Sequence, residues 1–290
     1  MSAEAPGPHL VSPCVGTCRL DPGTGWCVGC GRDADELTRW RDYGEADRAA
    51  IWRRLGARLD RLGQTCRLLP WTPEAAVARV ADLATMQGAV VSMGVDGAAA
   101  TFGALPGHGV VARTGGSRAT LITSGATAWL QARPGLRVFG GDGWLVLALH
   151  RSRFAPMPAG LAECAPEAEG VVIDLGLGLT GFRFLLRTTD AALVRLLRRS
   201  LGRPLASTSG AVLAALAAAA PTRIVESPAG RIEIDRPWGE AAGPGPTATL
   251  SPGLTTRNAG LASGLALPPG YLAAAVLVPG GDAVSWIAAV

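Results

Sequence analysis

The chain has 290 residues, is 48% hydrophobic and 17% charged, and carries a formal net charge of +4. This length predicts two or three compact units, and this composition excludes a disordered chain. All 27 basic residues are arginine, and residues 1–67 hold ten arginines against nine acidic residues. The near balance argues against a nucleic-acid partner, because binding to phosphates needs a strongly basic surface.

The N-terminal residues 1–13 have neither a basic start nor an apolar stretch, so they do not resemble a secretory signal. The longest apolar run, residues 211–220, is ten residues long, whereas a helix needs roughly 20 to span a bilayer. We therefore expect a cytoplasmic protein that does not bind a membrane. Thiols stay reduced in the cytoplasm, which favours metal ligation over disulfides.

Four of the six cysteines, Cys14, Cys18, Cys27 and Cys30, lie within seventeen residues in the pattern C-x3-C-x8-C-x2-C. The two residues between Cys27 and Cys30 allow both sulfurs to reach one metal. Gly31 accepts a left-handed backbone conformation, which turns N–H groups towards the sulfurs. The turn-forming residues 21–25 are expected to bring the first pair back over the second. These four thiolates predict one metal centre, either zinc or an iron–sulfur cluster, and a redox dithiol and inert thiols are the alternatives.

Two helices are predicted after the cysteines. Asp33 and Glu36 form the D-x-x-E pattern of a capping box, and a second helix is expected over residues 45–62. We expect the apolar stripe of the second helix to pack on the metal loop and its arginine face to be solvated. A helix that faces nucleic acid and stacks through Trp52 is the alternative. The stripe consists of Ile51, Leu55, Leu59 and Leu62.

The residues around the cysteines read Ser12-Pro13-Cys14, Cys18-Arg-Leu-Asp21 and Trp26-Cys27-Val-Gly-Cys30-Gly-Arg32, followed by Glu36 and Trp40. From residue 12 to about 55 the chain thereby resembles a bacterial family of small predicted iron–sulfur proteins, domain of unknown function 1289. The resemblance implies a four-cysteine site at Cys14, Cys18, Cys27 and Cys30. The iron–sulfur label of that family is itself a prediction, so zinc and a cluster both stay open.

Residues 68–155 predict a helix followed by antiparallel strands. Thr72 and Pro73 start the helix, which is expected to end near Met86. From residue 89 the apolar residues alternate, which predicts a small antiparallel sheet or a partly closed barrel. His108 and His150 have no partner at a chelating interval, so we expect no metal role for them. The predicted strands are 89–95, 99–103, 109–113, 119–123, 126–131, 136–139 and 144–150.

The third segment, residues 156–290, is predicted to be a linker followed by an α+β unit. The linker is expected over residues 155–170. Gly176, Gly178 and Gly181 spell G-x-G-x-x-G, but a strand and not a helix is predicted to follow them, so we expect no dinucleotide binding. Cys66 and Cys164 each stand alone, and we expect neither to be a metal ligand. The remaining predicted elements are helices over 191–200 and 207–220, a hairpin over 222–226 and 230–235, a loop over 239–247, and strands over 271–278 and 283–289.

Three stretches of this segment, Asp174-Leu-Gly-Leu-Gly178, Thr222-Arg-Ile-Val225 and Gly230-Arg-Ile-Glu233, are similar to an uncharacterised bacterial domain family. The resemblance spans residues 171–283 and implies no known activity.

The predicted fold class is α+β. It comprises a small four-cysteine metal-binding helical-hairpin head (1–67), a helix with an antiparallel β-rich unit (68–155), and a linker with an α+β unit (156–290). No nucleophile or acid/base set stands out beyond the cysteines, which favours a non-enzymatic metal-binding module with a structural, redox-sensing or metal-sensing role. One alternative is a cluster-dependent oxidoreductase with the head as its electron-transfer module. The other is a nucleic-acid-associated protein that resembles a zinc ribbon. A protein partner is left open.

Overall fold

The structure is a computed structural model. It describes residues 11–95, 98–103, 111–123, 126–141, 143–153, 159–165, 167, 169–176, 182–205, 210–235 and 267–278. The helices in these ranges are α1 (Ala34–Thr38), α2 (Glu45–Arg61), α3 (Pro73–Ala84), α4 (Ala191–Arg198) and α5 (Gly210–Ala219). The strands are β1 (Arg67–Leu68), β2 (Val90–Val95), β3 (Ala98–Gly103), β4 (Val111–Gly115), β5 (Arg118–Thr123), β6 (Ala126–Gln131), β7 (Arg137–Gly141), β8 (Trp144–His150), β9 (Ala162–Glu163), β10 (Val171–Asp174), β11 (Arg183–Thr188), β12 (Thr222–Ser227), β13 (Gly230–Ile234) and β14 (Tyr271–Val278).

The helices begin where their capping residues predict. The Asp33 side chain accepts from the backbone N–H of Glu36 at 2.9 Å, and the Glu36 side chain accepts from that of Asp33 at 3.1 Å. The side chains of Thr72 and Asp190 also accept from backbone N–H groups, in the first turns of α3 and α4. Each cap satisfies an N–H group that the first turn of a helix leaves without a partner.

The strands form two antiparallel sheets. One has six strands in the order β1-β7-β8-β14-β2-β3, and the other has eight in the order β4-β5-β6-β13-β12-β11-β10-β9. Both sheets contain strands from residues 68–155 and from residues 156–290, since β8 pairs with β14 and β6 pairs with β13. The strands predicted between residues 89 and 150 therefore exist, but they are divided between two sheets and do not form one sheet or barrel.

One apolar core joins the inner faces of both sheets to helices α3, α4 and α5. Val80 of α3, Leu147 of β8 and Leu130 of β6 are completely buried in it. Burial of this many aliphatic side chains gives the body of the protein a core that does not depend on the cysteines. The overall fold is α+β, as predicted, with a small helical N-terminal region and a β-rich body.

The N-terminal region packs on the outer face of the six-stranded sheet. Val15, which follows the first cysteine, is 3% exposed and shares an apolar cluster with Phe139 of β7 and Val146 of β8. Trp52 of α2 packs against the same cluster and donates from Nε1 to the carbonyl of Val11 at 3.1 Å. The N-terminal region thus explains why β8 is buried on both faces between its two end residues.

Several sequence-based expectations concern residues outside the described ranges. These are the loop over 239–247, the strand over 283–289, His108, and two of the three glycines of G-x-G-x-x-G. The predicted linker contains the short strand β9, which pairs with β10. Among the helices of the described part, none is long and apolar enough to cross a membrane.

Candidate metal centre

The first cysteine pair lies in a short loop at the start of the described chain. The sulfurs of Cys14 and Cys18 are 3.9 Å apart, and the backbone N–H of Gly16 points to the Cys14 sulfur at 3.4 Å. Gly16 has a φ of +85°, which is a conformation that glycine adopts without strain. The turn between the two residues therefore brings both sulfurs to the same side of the loop.

The second pair lies in a tighter turn. Backbone N–H groups of Cys30 and Gly31 donate to the carbonyl of Cys27, at 3.3 and 2.7 Å. Gly31 has a φ of +75°, as its place after the second cysteine predicts, and a side chain there would also press on Leu59 of α2. Cys27 and Cys30 are 1% and 3% exposed. This half of the motif is thus held against the second helix.

The loop that carries Cys14 and Cys18 contacts the turn that carries Cys27 and Cys30. The Cys27 thiol donates to the carbonyl of Thr17 at 3.3 Å. A Cβ atom on Gly29 would lie 2.6 Å from that same carbonyl oxygen and 2.9 Å from the side chain of Val15, so only glycine fits at this position. Gly29, the first glycine of C-V-G-C-G, therefore permits the close approach of the loops.

The thiols influence one another's pKa. The hydrogen bond with Cys14, the proximity of that sulfur and the nearby Cys27 raise the pKa of Cys18. Burial acts to raise the pKa of Cys27, but the N–H groups of Gly29 and Cys30 outweigh it and lower the pKa. Burial raises the pKa of Cys30 to about 11. Both cysteine pairs thus share one electrostatic environment.

Arg32 places a buried positive charge against Cys30. Arg32 is 3% exposed, and its Nε donates to the Cys30 sulfur at 3.4 Å. Its guanidinium lies 4.8 Å from the centre of the Trp40 ring. Within the described part of the chain, no carboxylate lies within ion-pair distance of Arg32. A buried cation is costly without an anion beside it, and here the neighbouring acidic groups are thiols.

A second buried charge joins the two helices of the N-terminal region. The Glu36 side chain, 6% exposed, accepts from Arg58 of α2 at 2.5 Å and pairs with Arg54 at 3.3 Å. Arg58 also donates to the carbonyl of Gly31 at 3.1 Å and lies over the ring of Trp26. The arginine face of α2, which we expected to be solvated, therefore contributes a half-buried arginine that fixes the C-x2-C turn.

The four cysteine sulfurs are suitable donors for a metal, and the structure arranges them as two pairs. Four thiolates around zinc at about 2.3 Å would place neighbouring sulfurs about 3.8 Å apart, close to the 3.9 Å between Cys14 and Cys18. Among the residues that the structure describes, however, no three Cys, His, Asp or Glu side chains already surround a common point as metal ligands do. The structure brings the cysteines together as two neighbouring pairs.

The other candidate residues lie elsewhere. Cys66 is buried in the apolar cluster that contains Val15, and burial raises its pKa to about 12. Cys164 lies on the eight-stranded sheet, 3.5 Å from Arg183. The His150 ring nitrogen Nδ1 is hydrogen-bonded to Ser152 at 2.8 Å. Strands β10 and β11, which flank the glycine motif, pair with each other as an antiparallel hairpin.

Sequence reasoning missed three residues of the site: Gly29, Arg32 and Arg58. Gly29 and Arg32 could have been found, because they lie one residue before and two residues after Cys30, within the same short motif. Arg58 has no such signal, since it is one of several arginines on its helix.

Two stretches of the chain match models of protein families. Residues 12–59 match a protein of unknown function (DUF1289), and residues 161–285 match a family of unknown function (DUF6925). No curated protein and no solved structure matches the chain. The first match contains all four cysteines together with Arg32, and the second covers most of the C-terminal segment. Both resemblances expected from the sequence are confirmed: the chain is similar to DUF1289 over residues 12–59 and to an uncharacterised family, DUF6925, over residues 161–285.

Proposed function

We propose that the N-terminal region is a four-cysteine metal module in which Cys14, Cys18, Cys27 and Cys30 bind one metal centre, a zinc ion or an iron–sulfur cluster. The observation that carries this proposal is the buried guanidinium of Arg32 against the sulfur of Cys30. A four-thiolate centre is anionic, so it supplies the negative charge that a buried arginine requires. Neutral thiols would leave the arginine without a counter-ion.

The role that follows is structural and sensory, and not enzymatic. A centre shared by the two cysteine pairs would tie residues 14–18 to the C-x2-C turn, and Val15 in that loop packs on the outer face of the six-stranded sheet. Loss or oxidation of the centre would free the loop and thereby uncover that face. We propose that this contact couples the presence or the redox state of the metal to the exposure of the outer face of the six-stranded sheet.

Anaerobic purification followed by an absorption spectrum and metal and sulfide analysis tests the proposal. A colourless protein with about one zinc per chain, or a coloured one with iron and acid-labile sulfide, agrees with it. The Cys27→Ser/Cys30→Ser variant should lose the metal in either case. A native protein without zinc, iron or any other transition metal contradicts the proposal.

A further inference from the structure

A cavity of about 470 Å³ lies on the outer face of the eight-stranded sheet, on the side away from the apolar core. This volume is in the range of small-molecule sites, roughly 300–1,000 Å³. The cavity is separate from the four clustered cysteines, because its wall is built from β5, β6, β11, β12, β13, the residues next to them, and Glu167, which lies between β9 and β10. The charged side chains of the wall are Arg118, Arg133, Arg187, Arg231, Glu167, Glu226 and Glu233.

Two of the arginines are fixed by two glutamates. Arg187 pairs with Glu167 at 3.1 Å and with Glu233 at 2.9 Å, and Arg231 pairs with the same two carboxylates at 2.7 Å each. The resulting ring of four alternating charges is half-buried to buried, and Glu233 is its least exposed side chain at 9%. Because each member has two partners, the ring forms a rigid and nearly neutral floor.

The other two arginines have no such partners. Arg118 has a hydrogen bond of 3.5 Å to the side chain of Gln131. Among the described residues, no carboxylate lies within ion-pair distance of Arg118 or Arg133. Glu226, the remaining acid of the wall, has only long pairs of 3.7 and 3.8 Å, to Arg183 and Arg231. The wall holds four arginines and three glutamates, so its net charge is +1, and among the described residues Arg118 and Arg133 are the arginines of the wall without a carboxylate at ion-pair distance.

The wall also has a flat apolar part. Trp129 of β6 lines the cavity next to the arginines, and the guanidinium of Arg231 lies 5.9 Å from the centre of its ring. An aromatic surface beside guanidinium groups can bind the planar or apolar part of a ligand while the arginines bind its charged end.

We propose that this cavity binds a small organic anion, whose carboxylate or phosphate group is held by Arg118 and Arg133 and whose apolar part lies against Trp129. Arginine presents several N–H groups in one plane and suits both oxyanions. The ring of Arg187, Arg231, Glu167 and Glu233 holds the floor in place and is not the binding group.

The test titrates the full-length purified chain with benzoate, phenyl phosphate and the uncharged benzyl alcohol, by calorimetry or ligand-observed NMR. We expect saturable binding of at least one of the two anions, and the tighter one identifies the preferred oxyanion. Binding should weaken about tenfold or more in Arg118→Ala/Arg133→Ala, because each lost charged hydrogen bond is substantial. It should also weaken in Trp129→Leu.

The matched control is Arg79→Ala, which removes an exposed arginine of α3 outside the cavity. Binding in this variant should equal that of the native chain. Three results would overturn the proposal: no saturable binding of either anion, equal affinity in the Arg118/Arg133 double variant, or equal binding of benzyl alcohol. Both arginines are exposed at the ends of strands or in a turn, so the double variant should remain folded.

Discussion

Arg32 donates from Nε to the sulfur of Cys30 at 3.4 Å, and both residues are 3% exposed. The guanidinium is enclosed by the Trp40 ring on one side and by the C-x2-C turn on the other. This pair gives the N-terminal region a buried positive charge at the point where four cysteines lie close together.

Replacing Arg32 should weaken metal binding without removing a ligand. Arg32→Ala removes the positive charge and the hydrogen bond to the Cys30 sulfur, and the loss of such a supporting group typically costs about 10- to 100-fold in metal affinity. Competition with a chromophoric chelator measures the change. Arg32→Lys keeps the charge and should lie between the native protein and Arg32→Ala, and the exposed Arg53→Ala should have no effect. Unchanged affinity in Arg32→Ala would show that the arginine does not support the centre.

The two remaining cysteines should not contribute to metal binding. Cys66 lies in an apolar cluster and Cys164 lies on the other sheet. The Cys66→Ala/Cys164→Ser variant should therefore retain the full metal content of the native chain. Metal analysis of the purified variant is the measurement, with Cys27→Ser/Cys30→Ser as its counterpart. A loss of half or more of the metal in the first variant would assign a ligand role to one of these two cysteines.

Local structure was predicted well from the sequence, because it depends on neighbouring residues. The caps at Asp33 and Thr72 begin helices, and Gly31 adopts the left-handed conformation that its place after Cys30 predicts. The hairpin of β12 and β13 also forms as expected. Such features follow from capping chemistry and from the period of the apolar residues.

Long-range features were not predictable in the same way. Alternation in β6 indicates that one face is buried, but it contains no signal that Ala128 lies opposite Ile232 of β13, about a hundred residues later. The burial of Arg32 and the partial burial of Arg58 could not be predicted for a related reason. An arginine on a helix or in a loop is solvated unless a distant carboxylate, ring or sulfur meets it, and the partner of Arg58 is Glu36 on another helix.

Arg58→Ala should destabilise the N-terminal region. It leaves the buried carboxylate of Glu36 with the exposed Arg54 as its remaining ion-pair partner, and loss of one partner of a buried ion pair costs roughly 3 kcal/mol or more. Chemical denaturation of the metal-loaded protein gives the change in the free energy of unfolding. The exposed Arg53→Ala should change it by less than about 0.5 kcal/mol.

A double-mutant cycle provides the check on Arg58. Glu36→Gln should offset part of the cost of Arg58→Ala, because it removes the unpaired charge. Additive effects of the two substitutions would mean that the pair does not interact in solution as it does in the structure.

Metal removal should make Cys66 reactive. Burial raises the pKa of Cys66 to about 12, so hardly any reactive thiolate is present at pH 8. If loss of the metal frees the loop that contains Val15, the Cys66 pKa should fall towards the 8.5 that is usual for an exposed thiol. Alkylation of Cys66, followed by peptide mass spectrometry, should then be at least about tenfold faster after treatment with a chelator.

The pH profile and an internal control complete this experiment. In the metal-loaded protein the rate at Cys66 should still be rising at pH 9 to 10, whereas after metal removal it should level off once the pH exceeds the lowered pKa. Cys164, on the eight-stranded sheet, should react at the same rate in both states. An equal rate at Cys66 with and without the chelator would mean that the metal does not hold the loop on the sheet.

X-ray absorption at the metal edge of the anaerobically purified protein tests the four-cysteine centre most directly, because it counts the ligand atoms. We predict a first shell of four sulfurs, at about 2.3 Å if the metal is zinc, or a sulfur-only shell with a further iron neighbour if it is a cluster. The spectrum should be the same in Cys66→Ala/Cys164→Ser. A first shell that contains nitrogen or oxygen, or fewer than four sulfurs, would contradict the assignment of Cys14, Cys18, Cys27 and Cys30 as the ligands.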